Sequence, residues 1–243
     1  MMIELTSTPI ILMVILGVAG MIIPVINVIR KERGSSTFYG VIAFGALLLA
    51  LGFVMFQFYA DNLAPAAIFS EDVLVDDGFG SFFAIAMLIV SIMTVAGSFN
   101  YMRKKSNPAI YFSLILLSTI GMVLIAFATD LVMLFVAWEL MSLPTYILAG
   151  FNKKNPSSNE AAIKYFLFGA LSSGIIIYGI SLAYGITGST NIGDVIYGFS
   201  NLSPDMLPLG LLAIGMFIAG FGFKMGLVPV SYTHLTLPTI LLV

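Results

Sequence analysis

Leu131 to Phe151 reads LVMLFVAWELMSLPTYILAGF, an apolar run with one carboxylate, Glu139, near its middle. At about 1.5 Å rise per residue, roughly 20 residues cross the ~30 Å hydrocarbon layer, so this stretch can span a bilayer as one helix. A charge at that depth costs roughly 2.5–3.5 kcal/mol on insertion scales, so it needs a partner, a water-filled cavity or a task. Pro144 lies five residues on. Its missing N–H frees the carbonyl of Leu140 and can kink the helix beside the acid. Two readings follow: a proton-binding carboxylate lining a membrane channel, or an interhelical hydrogen-bonding residue.

The rest of the chain agrees with a membrane setting. Of 243 residues, 60% are hydrophobic and only 9% charged, and the mean hydropathy is +1.07. This is the composition of an all-α, polytopic membrane protein. With no cysteine, the chain offers no disulfide, thiolate metal site or iron–sulfur ligation. A single histidine gives no basis for a metal or haem site, and no cofactor is expected. The start, MMIELTSTP, has no basic n-region, so the first apolar segment is expected to stay as a helix. Nothing in the pattern suggests nucleic-acid binding.

Seven spans are expected, near 9–29, 38–60, 79–101, 108–128, 131–151, 160–186 and 206–229. Barrel strands would be about half as long and would alternate in polarity, which excludes a barrel. Arg30, Lys31 and Arg33 follow the first span, Arg103, Lys104 and Lys105 the third, and Lys153 and Lys154 the fifth. The alternate loops carry Asp61, Glu71, Asp72, Asp76, Asp77, Asp130, Asp194 and Asp205, without lysine or arginine. The positive-inside rule then puts the N-terminus outside and the basic loops in the cytoplasm. The outer stretches 61–77 and 188–204 read as solvated loops, with Ser203-Pro204 starting the last helix. Thr129-Asp130 reads as a tight outer hairpin between neighbouring antiparallel spans.

The sixth span opens PSSNE, where Ser157 and Glu160 fit a capping box. Lys164 lies just inside that span, and its stem could snorkel to the interface. Gly169, Ala170, Ser172, Ser173 and Gly174 form a small-residue face suited to close helix packing. In the seventh span Lys224 lies between Gly222 and Gly226, with Pro229 beyond. Glycines beside a lysine and a proline predict a locally unwound helix, which lipid tolerates where backbone lines a polar cavity. The alternative for Lys224 is an interfacial anchor.

Glu139, Lys164 and Lys224 therefore stand out as ionisable groups on consecutive spans. Burial disfavours charge on both kinds of group and mutual contact favours it, so hydrating or moving one member changes the proton occupancy of the others. There is no feature for nucleophilic, hydride or phosphoryl chemistry, and no Gly-rich phosphate loop between strand and helix.

Three segments, LFVAWELMSLPTYILAGF, EAAIKYFLFGALSSGIIIYGISLAYGITGS and GFGFKMGLVP, resemble subunit N of the complex I family. That family comprises the NADH–quinone oxidoreductases and their archaeal deazaflavin-linked relatives. The match is close over residues 105–229 and looser before. The resemblance implies two inverted five-helix repeats, each with a half-channel and a broken helix. It divides the chain into a three-helix segment (1–104), an incomplete first antiporter-like repeat (105–229) and a tail (230–243). By motif it assigns proton translocation to Glu139, Lys164 and Lys224, with Pro144, Gly222, Gly226 and Pro229 at helix breaks. Redox cofactors would belong to other subunits. The implied partners are other membrane subunits, the lipid bilayer of a prokaryotic cell membrane, and protons. A subunit of a multi-subunit cation/proton antiporter is the main alternative, and a structural scaffold the third.

The family motif continues after Val-Pro with F-H-x-W-x-P-D, whereas this chain reads VSYTHLTLPTILLV from Val230. Val230 to Thr239 equals, residue for residue, the translation of a common transposase-based sequencing adapter. The native reading is therefore expected to end at Pro229, with the fold truncated in its broken seventh helix, and His234 is set aside as a site residue. Recovering the same tail codons from unfragmented native DNA would overturn this.

Overall fold

The computed structural model describes residues 7–30, 35–60, 73–103 and 105–226. The chain forms two compact units, Met1–Ile163 and Lys164–Val243. Among the described residues eight helices follow in order: α1 (Thr8–Ile29), α2 (Ser36–Ala60), α3 (Gly78–Met102), α4 (Pro108–Phe127), α5 (Leu131–Ala149), α6 (Pro156–Thr187), α7 (Ile192–Ser200) and α8 (Leu207–Lys224). All but α7 are long and apolar enough to cross a membrane. The protein is a multi-pass, all-α integral membrane protein.

In the first unit α4 is the central helix, packed by α1, α2, α3 and α5. Leu16, Leu47, Leu88, Phe112, Leu116 and Val123 fill the space between them. Lipid tails are as apolar as leucine, so close packing and interhelical hydrogen bonds must hold such helices together. Tyr39 donates to Asn27 Oδ1 at 2.9 Å, joining α2 to α1. Thr119 donates to Ser91 Oγ at 2.9 Å, joining α4 to α3. Ser113 donates to the carbonyl of Gly20 in α1. That carbonyl lies four residues before Pro24, inside the same helix, so proline has removed its intrahelical donor.

Several acidic residues cap helices. Asp77 accepts from Gly80 N at 2.7 Å at the start of α3. Asp130 accepts from Val132 N and Met133 N at 2.8 and 3.0 Å at the start of α5. Asp76 accepts from Thr8 N at 2.6 Å, at the first residue of α1. Each takes an amide that the helix itself leaves without an acceptor. The hairpin at Thr129-Asp130 is as tight as expected, and it is also paired. Val75 N donates to Phe127 O at 2.9 Å and Thr129 N to Val73 O at 3.2 Å. Residues 73–75 are therefore ordered against the end of α4, where a solvated loop was expected; residues 61–72 lie outside the described residues.

Three local expectations are corrected. The stretch 188–204 contains α7, because Asn191 accepts from Gly193 N and Asp194 N and Val195 packs inward. The cap of α6 is Asn155, whose Oδ1 takes Ser157 N at 3.0 Å; Pro156 has the φ suited to the first helical position, which moves the cap one residue ahead of it. Ser158, in turn, donates to Ala149 O at 2.7 Å. Ser203-Pro204 begins a turn, with Met206 N on Ser203 O at 3.0 Å, and α8 starts only at Leu207.

Candidate functional site

Glu139 lies in the middle of α5 and is half-buried, two residues from Ala137 and two from Met141. Ala137 and Met141 are where the α5 backbone comes closest to Gly121 of α4. A Cβ on Gly121 would meet Met141 N, Ala137 O at 2.6 Å and Met141 Cα at 2.7 Å, so the two backbones touch. At about 100° per residue, Glu139 is carried to the side of α5 away from that contact. Pro144 is buried and α5 runs on through it to Ala149. The carbonyls around it are served by hydroxyls. Ser118 of α4 donates to Met141 O at 3.0 Å, Ser142 to Trp138 O at 2.7 Å, and Thr145 to Ser142 O at 2.7 Å. Sequence reading passed over Ser118 and Gly121. Their signal was a run of small and hydroxyl residues, Ser118-Thr119-Ile120-Gly121, in an otherwise apolar span.

The two lysines belong to the second unit. There α6 and α8 run antiparallel, with Gly179 against Met216 and Phe217, and Gly220 against Ile176 and Ser172. Ser172 donates to Gly220 O at 2.7 Å, as its small-residue face predicts. Phe168 and Phe223 meet at 5.9 Å between ring centres. Lys224 directly follows Phe223, and Lys164 lies one turn of α6 before Phe168. The antiparallel pairing thus brings both lysines to the same end of this helix pair. Lys164 is exposed; the helix begins at Pro156, which puts it about 12 Å along the axis, deeper than the expected start near 160 implied.

Lys224 is half-buried and is the last residue of α8. The expected unwinding around it begins only beyond it. Gly222 is buried within the helix, Met225 N reaches Phe221 O at 2.8 Å, and Gly226 N reaches Phe223 O at 3.0 Å. Gly226 has φ +72°, the left-handed conformation with which helices commonly end and which glycine adopts without strain. Pro229, His234 and the rest of the tail lie outside the described residues. Among the described residues no three His, Asp or Glu side chains cluster as metal ligands would.

Residues 128–233 match the family model described as NADH:quinone oxidoreductase/Mrp antiporter, TM. The chain is 40% identical over 162 residues to F(420)H(2) dehydrogenase subunit N of Methanosarcina mazei, covering 67% of this chain and 32% of that protein. It is 37% identical over 231 residues to NADH-quinone oxidoreductase subunit N of Desulfitobacterium hafniense, covering 93% and 44%. It therefore spans less than half the length of these curated relatives. Among solved structures it is similar to a chain of respiratory complex I from Thermus thermophilus, with a TM-score of 0.68, 28% identity and coverage of 88% of this chain and 43% of that one. A chain of the archaeal membrane-bound sulfane sulfur reductase shares the fold, with a TM-score of 0.72 at 21% identity, covering 88% and 44%. Residues 128–233 are thus similar to the NADH:quinone oxidoreductase/Mrp antiporter transmembrane family, and the chain as a whole is similar to subunit N proteins over less than half of their length.

Proposed function

We propose that the chain is part of a proton-translocating membrane subunit of a respiratory oxidoreductase, one that oxidises NADH or a reduced deazaflavin and reduces a quinone or phenazine. In this reading other subunits carry electrons, and Glu139, Lys164 and Lys224 pass or gate protons. The observation that carries it is Glu139 itself, a carboxylate held at mid-span beside a proline in a helix otherwise suited to lipid. Similarity to subunit N over the same residues supports it. Residues 105–229 would then be the incomplete first antiporter-like repeat, and other membrane subunits the partners. The membrane is proposed to be a prokaryotic cell membrane, with the basic loops in the cytoplasm.

The test is Glu139→Gln in the full-length subunit within its complex. Loss of proton translocation with assembly intact supports the reading. Unchanged translocation and turnover would leave only the scaffold role. The family description also names an antiporter, and gene neighbourhood separates the two: quinone-oxidoreductase genes favour the respiratory reading, a multi-subunit antiporter operon the other.

A further inference from the structure

We propose that Ser118 and Gly121 of α4 are positioning residues for Glu139, setting the rotation of α5 about its axis. This rests on the proton role proposed for Glu139, which these two residues would serve without touching a proton. Gly121 lets the α4 backbone reach the α5 backbone at Ala137 and Met141, one helical turn apart. These two residues bracket Glu139 in sequence and fix which face of α5 is turned from α4. Ser118, one turn before Gly121, donates to Met141 O at 3.0 Å. The bond falls beside the gap in the ladder that Pro144 opens at Leu140, where a helix bends most readily. A weakened ladder leaves the segment carrying Glu139 dependent on support from its neighbour, and α4 is the element that supplies it.

The support is rigid because α4 is held on its other sides. Ser113 bonds to the Gly20 carbonyl of α1 and Thr119 to Ser91 of α3 at 2.9 Å. The second unit repeats the device. Ser172 donates to Gly220 O, a Cβ on Gly220 would meet Ile176, and Lys224 lies one turn further along α8. In both units a serine–carbonyl bond and a glycine without room for Cβ lie within about a turn of the ionisable residue.

The chain has no cysteine, so Glu139→Cys places a single thiol in it. In the full-length subunit of the assembled complex, the rate at which a membrane-permeant maleimide labels the peptide that carries residue 139 reads the position of that residue. Gly121→Ala is expected to change that rate on the order of tenfold, and Ser118→Ala several-fold. Gly45→Ala, where an added Cβ meets nothing within 4 Å, is expected to leave it unchanged. Equal rates in all three backgrounds would overturn the proposal. If Gly121→Ala blocks assembly, Ser118→Ala, which adds no atom, decides alone. The labelling rate does not depend on pumping. Normal pumping by Glu139→Gln would therefore defeat the proton role, while unchanged labelling would defeat the positioning role.

Discussion

Ser113 of α4 donates its hydroxyl to the carbonyl of Gly20 in α1, the carbonyl that Pro24 deprives of its helical donor. The two residues are 93 positions apart. Deleting the hydroxyl leaves a buried acceptor unmet. Ser113→Ala is expected to cost about 1 kcal/mol, the usual scale for interhelical bonds in bilayers. In a Pro24→Ala background the amide of residue 24 returns, and the same change is expected to cost less. A double-mutant cycle on the thermal midpoint of the purified complex measures the difference, and additive costs would refute the link.

Lys224 separates a proton carrier from an interfacial anchor. Arginine keeps the positive charge and reaches the interface, but it does not release its proton in proteins. Lys224→Arg is expected to lose proton translocation nearly as fully as Lys224→Ala, with assembly retained. Full translocation by the arginine variant would identify an anchor.

Asp130 holds two amides at the start of α5. Asp130→Ala is expected to cost about 0.5–2 kcal/mol and Asp130→Asn much less, since an amide oxygen caps nearly as well. The thermal midpoints of the two variants should therefore differ; equal losses would mean that the charge, not the cap, is what matters.

Gly80 lies against Phe127 and the carbonyl of Ala126, which a Cβ would approach to 3.0 Å. Because backbone cannot yield as a side-chain tip can, Gly80→Ala is expected to destabilise the first unit by about 1–3 kcal/mol. Gly52→Ala, with nothing within 4 Å, should be neutral or slightly stabilising.

Orientation is open to a direct reading. With no native cysteine in the chain, Lys154→Cys and Asp205→Cys place thiols in exposed loops. In right-side-out vesicles an impermeant maleimide is expected to label Asp205→Cys and spare Lys154→Cys. The reverse pattern would overturn the proposed topology.

The membrane helices were legible because each is a long apolar run, and lipid leaves backbone few alternatives to the helix. The tight turn at Thr129-Asp130 was legible too, since only two residues separate two such runs. The short α7 was not. Nine residues in a polar stretch read as loop, although Asn191 and the spacing Ile192, Val195, Ile196, Phe199 carried the signal. At Lys224 the glycines were read as unwinding the helix around the lysine, yet only Gly226 has the left-handed φ, while Gly222 stays helical and buried. Glu139 was visible as a lone carboxylate. What supports it was not, because Ser118 and Gly121 acquire meaning only once α4 and α5 are side by side.

The Gly20 carbonyl also has a bearing on how the chain is built. A carbonyl without a donor is unfavourable in hydrocarbon, and its donor here stands on α4. During synthesis α1 enters the bilayer before α4, with α2 and α3 between them. Until α4 arrives, the Gly20 carbonyl of α1 thus lacks the donor that Ser113 later supplies. By contrast, α5 follows α4 and meets Ser118 already in place. Biogenesis of the first unit accordingly has a distinct step at the insertion of α4, before which α1 is a guest of the bilayer and after which it is part of a bundle.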